Sequence, residues 1–245
     1  MDGVQRLAAL VRDAQPCVAL TGAGISTESG IPDFRSRTGI WADVDPREVA
    51  SLSAFHAHPE RVWDFYRRRF RILTAAEPNR AHLALAELER RGLVEAVVTQ
   101  NIDLLHTRAG SRNVVEVHGS IRTSSCRRCG TRYPLGTVLR LLEEDGPPRC
   151  PACDTILKPD VVFFEELLPE PEVDRAHALA RRAGLLLVVG SSLEVHPIAG
   201  LPDIALSGGA AVAVVNLGET TFDRSATLRL EAGAGETLEA LVSVL

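Results

Sequence analysis

Lysine is almost missing from this chain of 245 residues. Lys158 is the only one, and arginine supplies the rest of the 27 basic side chains. Codon bias explains that more simply than selection against lysine, so the scarcity alone excludes no function. Long apolar runs are also missing: none approaches the roughly 18 residues of a membrane-spanning helix, which argues against a helical membrane protein. Met1 to Leu7 read as the start of an amphipathic helix, with neither the basic-then-apolar order of a signal peptide nor an Arg- and Ser-rich transit pattern, so the expected location is cytoplasmic. There is no basic excess either. A net charge of −5 argues against a general nucleic-acid binder. What remains is ordinary globular material, 45% apolar and 24% charged, long enough for one α/β domain with an insertion.

The most informative stretch is Gly22-Ala23-Gly24-Ile25-Ser26-Thr27-Glu28-Ser29-Gly30-Ile31-Pro32-Asp33-Phe34-Arg35, which begins where the apolar run Cys17-Val18-Ala19-Leu20 ends. Glycines after a buried strand let a backbone turn tightly and approach a pyrophosphate. The acid, ring and guanidinium of Asp33, Phe34 and Arg35 add polar and stacking groups that a plain turn does not need. Three further strand-like runs end in polar or glycine residues: Ala96–Thr99 before Gln100-Asn101-Ile102-Asp103, Leu185–Val189 before Gly190-Ser191-Ser192, and Ala211–Val215 before Asn216-Leu217-Gly218. Helical patterns over Arg80–Arg91 and Val173–Arg182 lie between them. Strands alternating with helices predict a doubly wound parallel sheet, with ligands at the carboxyl ends of the strands. Residues 36–78, arginine-rich and helical in pattern, and 122–158, with four cysteines, fall outside the alternation as excursions over the crevice.

Cys126-x2-Cys129 and Cys150-x2-Cys153 have the spacing by which two turns donate four thiolates to tetrahedral zinc. Disulfides fit a reducing compartment poorly, and neither pair opens a helix after a strand as redox motifs do. Four cysteines leave no open coordination position, so one structural zinc is expected. Cys17 reads as a small buried hydrophobe. His118 closes the apolar Val114–Val117 run just before the cysteine module and is the best general base in the chain. His56, His58, His82, His177 and His196 read as structural, and His106 as loop support.

Together, Gly22–Arg35, Thr99–His106, Val117-His118-Gly119, the four cysteines and Gly190-Ser191-Ser192-Leu193-Glu194-Val195 resemble the sirtuins in order and spacing over nearly the whole chain. The resemblance implies an NAD-dependent protein lysine deacylase acting on acyl-lysine proteins or peptides, monomeric, with no nucleic-acid or membrane partner. It implies a Rossmann-like domain (1–35, 79–121 and 159–245) and a smaller inserted domain made of a helical module (36–78) and a zinc ribbon (122–158). NAD would be consumed as co-substrate, held by Gly22, Ala23, Gly24, Ser26, Pro32, Asp33, Phe34, Arg35, Trp41, Gln100, Asn101, Ile102, Asp103, Gly190, Ser191, Ser192, Asn216, Leu217, Gly218 and Ala234. The implied catalytic set is His118, Asn101 and Asp103: nicotinamide leaves, the acyl oxygen attacks the ribose C1′, and His118 deprotonates a ribose hydroxyl on the way to O-acyl-ADP-ribose. Val162, Phe164 and Glu166 correspond to the strand that pairs with the substrate peptide, although Glu165 stands where the family usually has glycine. Ser191 stands for the usual threonine and keeps the hydroxyl. The same parts leave open transfer of ADP-ribose to a protein, or a silent NAD-binding or zinc scaffold. A dehydrogenase fits less well, because the loop lacks regular G-x-G-x-x-G spacing.

If Pro59–Leu73 is helical, then Val62, Phe65, Tyr66, Arg69, Phe70 and Leu73 share one face. A guanidinium on an apolar face needs a partner, whereas Arg67, Arg68 and Arg71 point elsewhere, into solvent. A substrate carboxylate would satisfy Arg69, with Tyr66 adding a hydrogen bond. Tyr66-x2-Arg69 also matches the motif of sirtuins that remove succinyl and malonyl groups, and Ala50 resembles the alanine that widens their acyl pocket.

Overall fold

A computed structural model describes residues 3–34, 36 and 39–245 of the protein. Nine strands form two sheets. They are β1 (Cys17–Thr21), β2 (Ala96–Thr99), β3 (Val114–Glu116), β4 (Gly119–Cys126), β5 (Arg132–Pro134), β6 (Leu157–Val161), β7 (Leu185–Val189), β8 (Ala211–Val215) and β9 (Leu228–Leu230). The larger sheet has the order β3-β2-β1-β7-β8-β9 and every pairing in it is parallel. The smaller, β5-β4-β6, is antiparallel.

Every residue of β1 and β7 is buried, because both faces of a parallel sheet are covered. Alternate side chains supply two separate cores. Cys17, Ala19, Leu185, Leu187 and Ala213 meet α1 (Gly3–Asp13), α5 (Arg80–Arg90) and α10 (Ala234–Val244) on one face. Val18, Leu20, Leu186, Val188 and Val212 meet α8 (Glu170–Arg182) and α9 (Leu201–Ser207) on the other. One of these helices on each face explains its own start. Asn79 caps α5 by accepting from Ala81 and His82 N–H, and α8 begins three residues before the Val173 expected from periodicity, because a proline in the first turn forfeits no helical hydrogen bond. The sequence reading did not anticipate β9, which is three residues long and carries Arg229 at its centre.

A third core belongs to the smaller domain. It joins α2 (Pro46–Val49), α3 (Leu52–Ala57) and α4 (Pro59–Ala75) to the antiparallel sheet and to α7 (Leu135–Leu141), the remaining short helix α6 (Leu105–Ala109) adding Leu105. In α4 the buried residues are those expected, plus Trp63, whose indole N–H donates to Leu157 O at 2.7 Å and ties the helix to β6. Arg67 is a correction. It is half-buried instead of solvated, and its guanidinium donates to the carbonyls of Leu142, Glu144 and Gly146, groups that follow the end of α7 and lack helical partners. Among the described residues no helix is long and apolar enough to cross a membrane.

The strand order reverses between β1 and β7, so the crevice opens over their carboxyl ends. There the glycines also serve a packing purpose that the sequence reading did not include. A Cβ on Gly22 would sit 2.9 Å from Gly190 O, one on Gly24 2.9 Å from Gly190 Cα, and one on Gly190, which has φ +62°, 2.2 Å from Ile25 N. The loop after β1 is thus seated backbone to backbone on the loop after β7, with Gly24 N–H donating to Gly190 O at 2.8 Å. Gly190→Ala is expected to cost about 2–3 kcal/mol of stability through this clash and the positive φ. Urea denaturation checks it, and a midpoint equal to that of the parent would refute the seating argument.

Candidate active site

Over that seat lies a cleft of about 900 Å³, large enough for an extended dinucleotide. Its floor is a buried polar network. Asn101 Nδ2 donates to Gly22 O at 3.1 Å and to Ser26 Oγ at 3.0 Å, and Ser26 Oγ donates to Asp103 Oδ2 at 2.7 Å. Asp103 Oδ1 accepts from Leu105 N–H at 2.9 Å, which caps the turn into α6. Every member is less than a tenth exposed, so each needs these partners to offset lost hydration. The same network fixes the glycine loop from below.

Two histidines extend it. His82 Nε2 lies 3.4 Å from Ser26 Oγ, and His106 Nε2 lies 2.9 Å from Thr21 Oγ1, which donates on to Thr99 Oγ1. Burial pushes His82 down to about 4, against the pull of Asp103, and His106 well below the ordinary histidine value, so both rings are neutral. His106 therefore supports the loop as expected, whereas the bearing of His82 on Ser26 escaped the sequence reading. The signal was its place three residues after the capping Asn79.

His118 sits between the last residue of β3 and the start of β4. Its Nδ1 lies 3.0 Å from Gln100 O, an acceptor only, so Nδ1 carries the proton and Nε2 keeps its lone pair. Burial lowers its pKa below 6.5, with the Gln100 carbonyl opposing. The next residue must be glycine here: φ is +68°, and a Cβ would lie 2.2 Å from Asp160 O. Gln100 Nε2 also donates to Ser191 Oγ at 3.0 Å, stitching two strand ends together.

The remaining predicted residues fall as follows. Gly22, Ala23, Gly24, Asp33, Phe34, Trp41, Gln100, Asn101, Ile102, Gly190, Ser191, Ser192, Asn216, Leu217, Gly218 and Ala234 line the cleft, as do Ala50, Tyr66, Arg69, Val162, Phe164 and Glu166. Ser26, Pro32 and Asp103 line a small recess that shares Phe34, Arg69 and Asn101 with it. Arg35 lies outside the described residues. Phe34 stacks on Trp41, and Trp41 on Phe65, with centroids 5.5 and 5.8 Å apart. Glu166 needs a correction of emphasis: its carboxylate is occupied by Lys158 Nζ at 2.7 Å, Phe163 N–H at 2.9 Å and Arg127 at 3.3 Å. Lys158 donates also to Pro159 O and Val161 O and is buried. Its charge is thereby balanced inside the fold.

Arg69 is 7% exposed, and its Nη1 has no hydrogen-bond partner. Its guanidinium carbon lies 6.0 Å from the Phe34 ring centroid. Burial lowers its pKa, against the opposing influence of Tyr66 and Asp103. Tyr66, stacked on Phe163 at 5.3 Å, is pushed well up by burial, so its phenol stays protonated and can donate.

The four cysteine Sγ atoms all lie within 4.8 Å of one another, Cys126 to Cys153 at 3.4 Å and Cys129 to Cys150 at 3.6 Å. A zinc with bonds of about 2.3 Å sets its four sulfurs about 3.8 Å apart, and a disulfide needs about 2 Å, so the cluster fits zinc and no pair is bridged.

Residues 22–197 match the family model described as the Sir2 family. The chain belongs to the Sir2 family. An NAD-dependent protein deacetylase of Caldivirga maquilingensis is 46% identical over 244 residues, covering 99% of this chain and 94% of its own length. An NAD-dependent protein deacylase of Pyrococcus furiosus is 45% identical over 227 residues, covering 92% and 91%. A solved Sir2 complex with a p53 peptide and NAD+ superposes with a TM-score of 0.91 at 41% identity, over 98% of each chain. The matched span takes in the glycine loop, the Gln100–Asp103 turn, His118 and the Gly190–Ser192 turn, and the volume and donor set of the cleft fit NAD.

Chelation of this Sir2 chain is expected to release zinc and open the ribbon to trypsin near Arg127, Arg132 and Arg149. Unchanged cleavage after chelation would count against a structural zinc. If His118 is the base, the acid limb of kcat/KM should inflect below 6.5, since a depressed pKa keeps the imidazole neutral down to lower pH. An inflection above 6.5 would contradict the buried-ring argument.

Proposed function

We propose that this Sir2 chain is an NAD-dependent protein lysine deacylase whose acyl pocket takes carboxylate-ended groups such as succinyl and malonyl as well as acetyl. Bound NAD supplies a ribose C1′ activated for displacement of nicotinamide. Ser26, Asn101 and Asp103 form the fixed floor beneath it, and the Phe34–Trp41–Phe65 stack excludes water from one side. His118 receives a proton at Nε2 while the Gln100 carbonyl holds the ring through Nδ1.

Buried Arg69, with Nη1 unpaired beside the Tyr66 phenol at the cleft, carries the acyl reading. An unpartnered buried guanidinium is costly, and a carboxylate arriving on the acyl chain satisfies it through a charge-assisted bond. Ala50, on the same cleft, leaves space for the longer chain. Acyl-lysine proteins are the proposed partners, with the chain working as a cytoplasmic monomer divided into the two domains at the boundaries given above. The net charge of −5 supports the absence of a nucleic-acid partner.

Arg69→Met is expected to lower kcat/KM for a succinyl-lysine peptide by roughly 30-fold or more, the effect of deleting one member of a buried charge pair, while the acetyl peptide changes little. Equal losses on both peptides would sink the acyl assignment. His118→Ala is expected to abolish acyl removal at unchanged zinc content and melting temperature. Substantial NAD-dependent turnover by that variant would remove His118 as the base.

A further inference from the structure

We propose that Glu165 is a positioning residue for the peptide substrate, its carboxylate clamping the docking segment 161–166 to the start of α3. The inference rests on the deacylase reading, in which the segment bearing Val162, Phe164 and Glu166 docks the peptide. Glu165 has φ +74°, in the left-handed region that favours glycine and strains other residues. A side chain held there signals that its surroundings fix it. The fixing groups are on the page: Glu165 Oε2 accepts from Ser53 N–H at 2.8 Å and Oε1 from Ser53 Oγ at 2.9 Å.

Ser51 already caps α3 by accepting from Ala54 N–H at 3.1 Å. Glu165 thus satisfies a second first-turn donor from 112 positions away in sequence, and the donor's partial positive charge strengthens the bond to a carboxylate. Beside it, Phe164 N–H donates to Ala50 O at 2.9 Å and Leu52 N–H to Phe164 O at 3.1 Å. The clamp therefore closes a short parallel pairing between the docking segment and the stretch bearing Ala50, the acyl-pocket wall. At the other end of the segment, Val162 N–H donates to His118 O at 2.9 Å. Docking backbone, acyl wall and proposed base are held in one register. A glycine at 165 would adopt the same backbone without strain but would leave this register to main-chain bonds alone.

The test measures binding of a fluorescent acyl-lysine peptide by anisotropy, and turnover with NAD. Glu165→Gly is expected to raise the peptide Kd and KM roughly tenfold, as for loss of two charge-assisted hydrogen bonds, with kcat and the KM for NAD within about twofold of the parent. Glu165→Gln, which keeps an acceptor, should recover most of the affinity. Ser53→Ala, which removes the hydroxyl that donates to Glu165 and also lies 3.1 Å from the capping Ser51 Oγ, should weaken binding severalfold, and the double variant should bind no worse than Glu165→Gly alone, because the two residues act as one unit. A peptide Kd for Glu165→Gly within about twofold of the parent overturns the proposal. So does a parallel rise in the KM for NAD, or full additivity with Ser53→Ala. If the parent binds the peptide yet releases no nicotinamide, the deacylase reading fails while the binding series still decides the clamp.

Discussion

The contact on which the cleft depends is between two pieces of backbone. Gly22 and Gly24 lie on Gly190 with no room for a Cβ on any of the three, and the site is assembled on top of that contact. Because the loop after β1 rests directly on the end of β7, Ser26 is carried to within hydrogen-bond reach of Asp103 and Asn101, which follow β2. One constraint on atomic volume thus brings together groups from three strands. The buried network beneath then leaves no member free to turn away, since each would forfeit a partner while shielded from solvent.

A second dependence runs between the two domains. His118 contacts the large sheet through its ring, by way of Gln100 O, and the docking segment through its own carbonyl, by way of Val162 N–H. The proposed base is therefore held between the end of β2 in the large sheet and the segment that leaves β6 of the small one. The small domain holds its side of that arrangement through a core shared between the helical module and the ribbon, with Trp63 bridging to Leu157 and the sulfur cluster at the far end. None of the four cysteines lines the cleft, so a metal there bears on it through packing.

Much of this was legible in the sequence, and the reasons differ by element. β1, β2, β7 and β8 were read at their observed bounds or within a residue of them because strands buried on both faces appear as unbroken apolar runs. The inward face of α4, Arg69 included, followed from helical spacing, and the cysteine spacing carried the metal site. What escaped reading depends on contacts between distant segments. Nothing local distinguishes Arg67 from Arg68, and only the end of α7 makes it a cap. Trp63, three and seven residues before Tyr66 and Phe70 and edge-on to both rings, borders the stripe by helical spacing, but its bond to β6 could not be read locally. The glycines of the first loop read as cofactor glycines, yet their tightest neighbour is Gly190, more than 160 residues on. Glu166 was read from the peptide-docking pattern alone, and its ion pair with Lys158 could not be seen from sequence.

Lys158 also gives the composition a meaning it lacked at the outset. The sequence has a single side-chain amine, and the fold places it inside, with Glu166 and two carbonyls around Nζ and the Phe163 ring 4.0 Å away. An enzyme that strips acyl groups from lysine in this form displays no lysine of its own. Sister molecules cannot compete as substrates through such a side chain, and reactive acyl donors in the surroundings find no lysine on the surface. The one lysine is thereby kept from the very modification that such an enzyme removes.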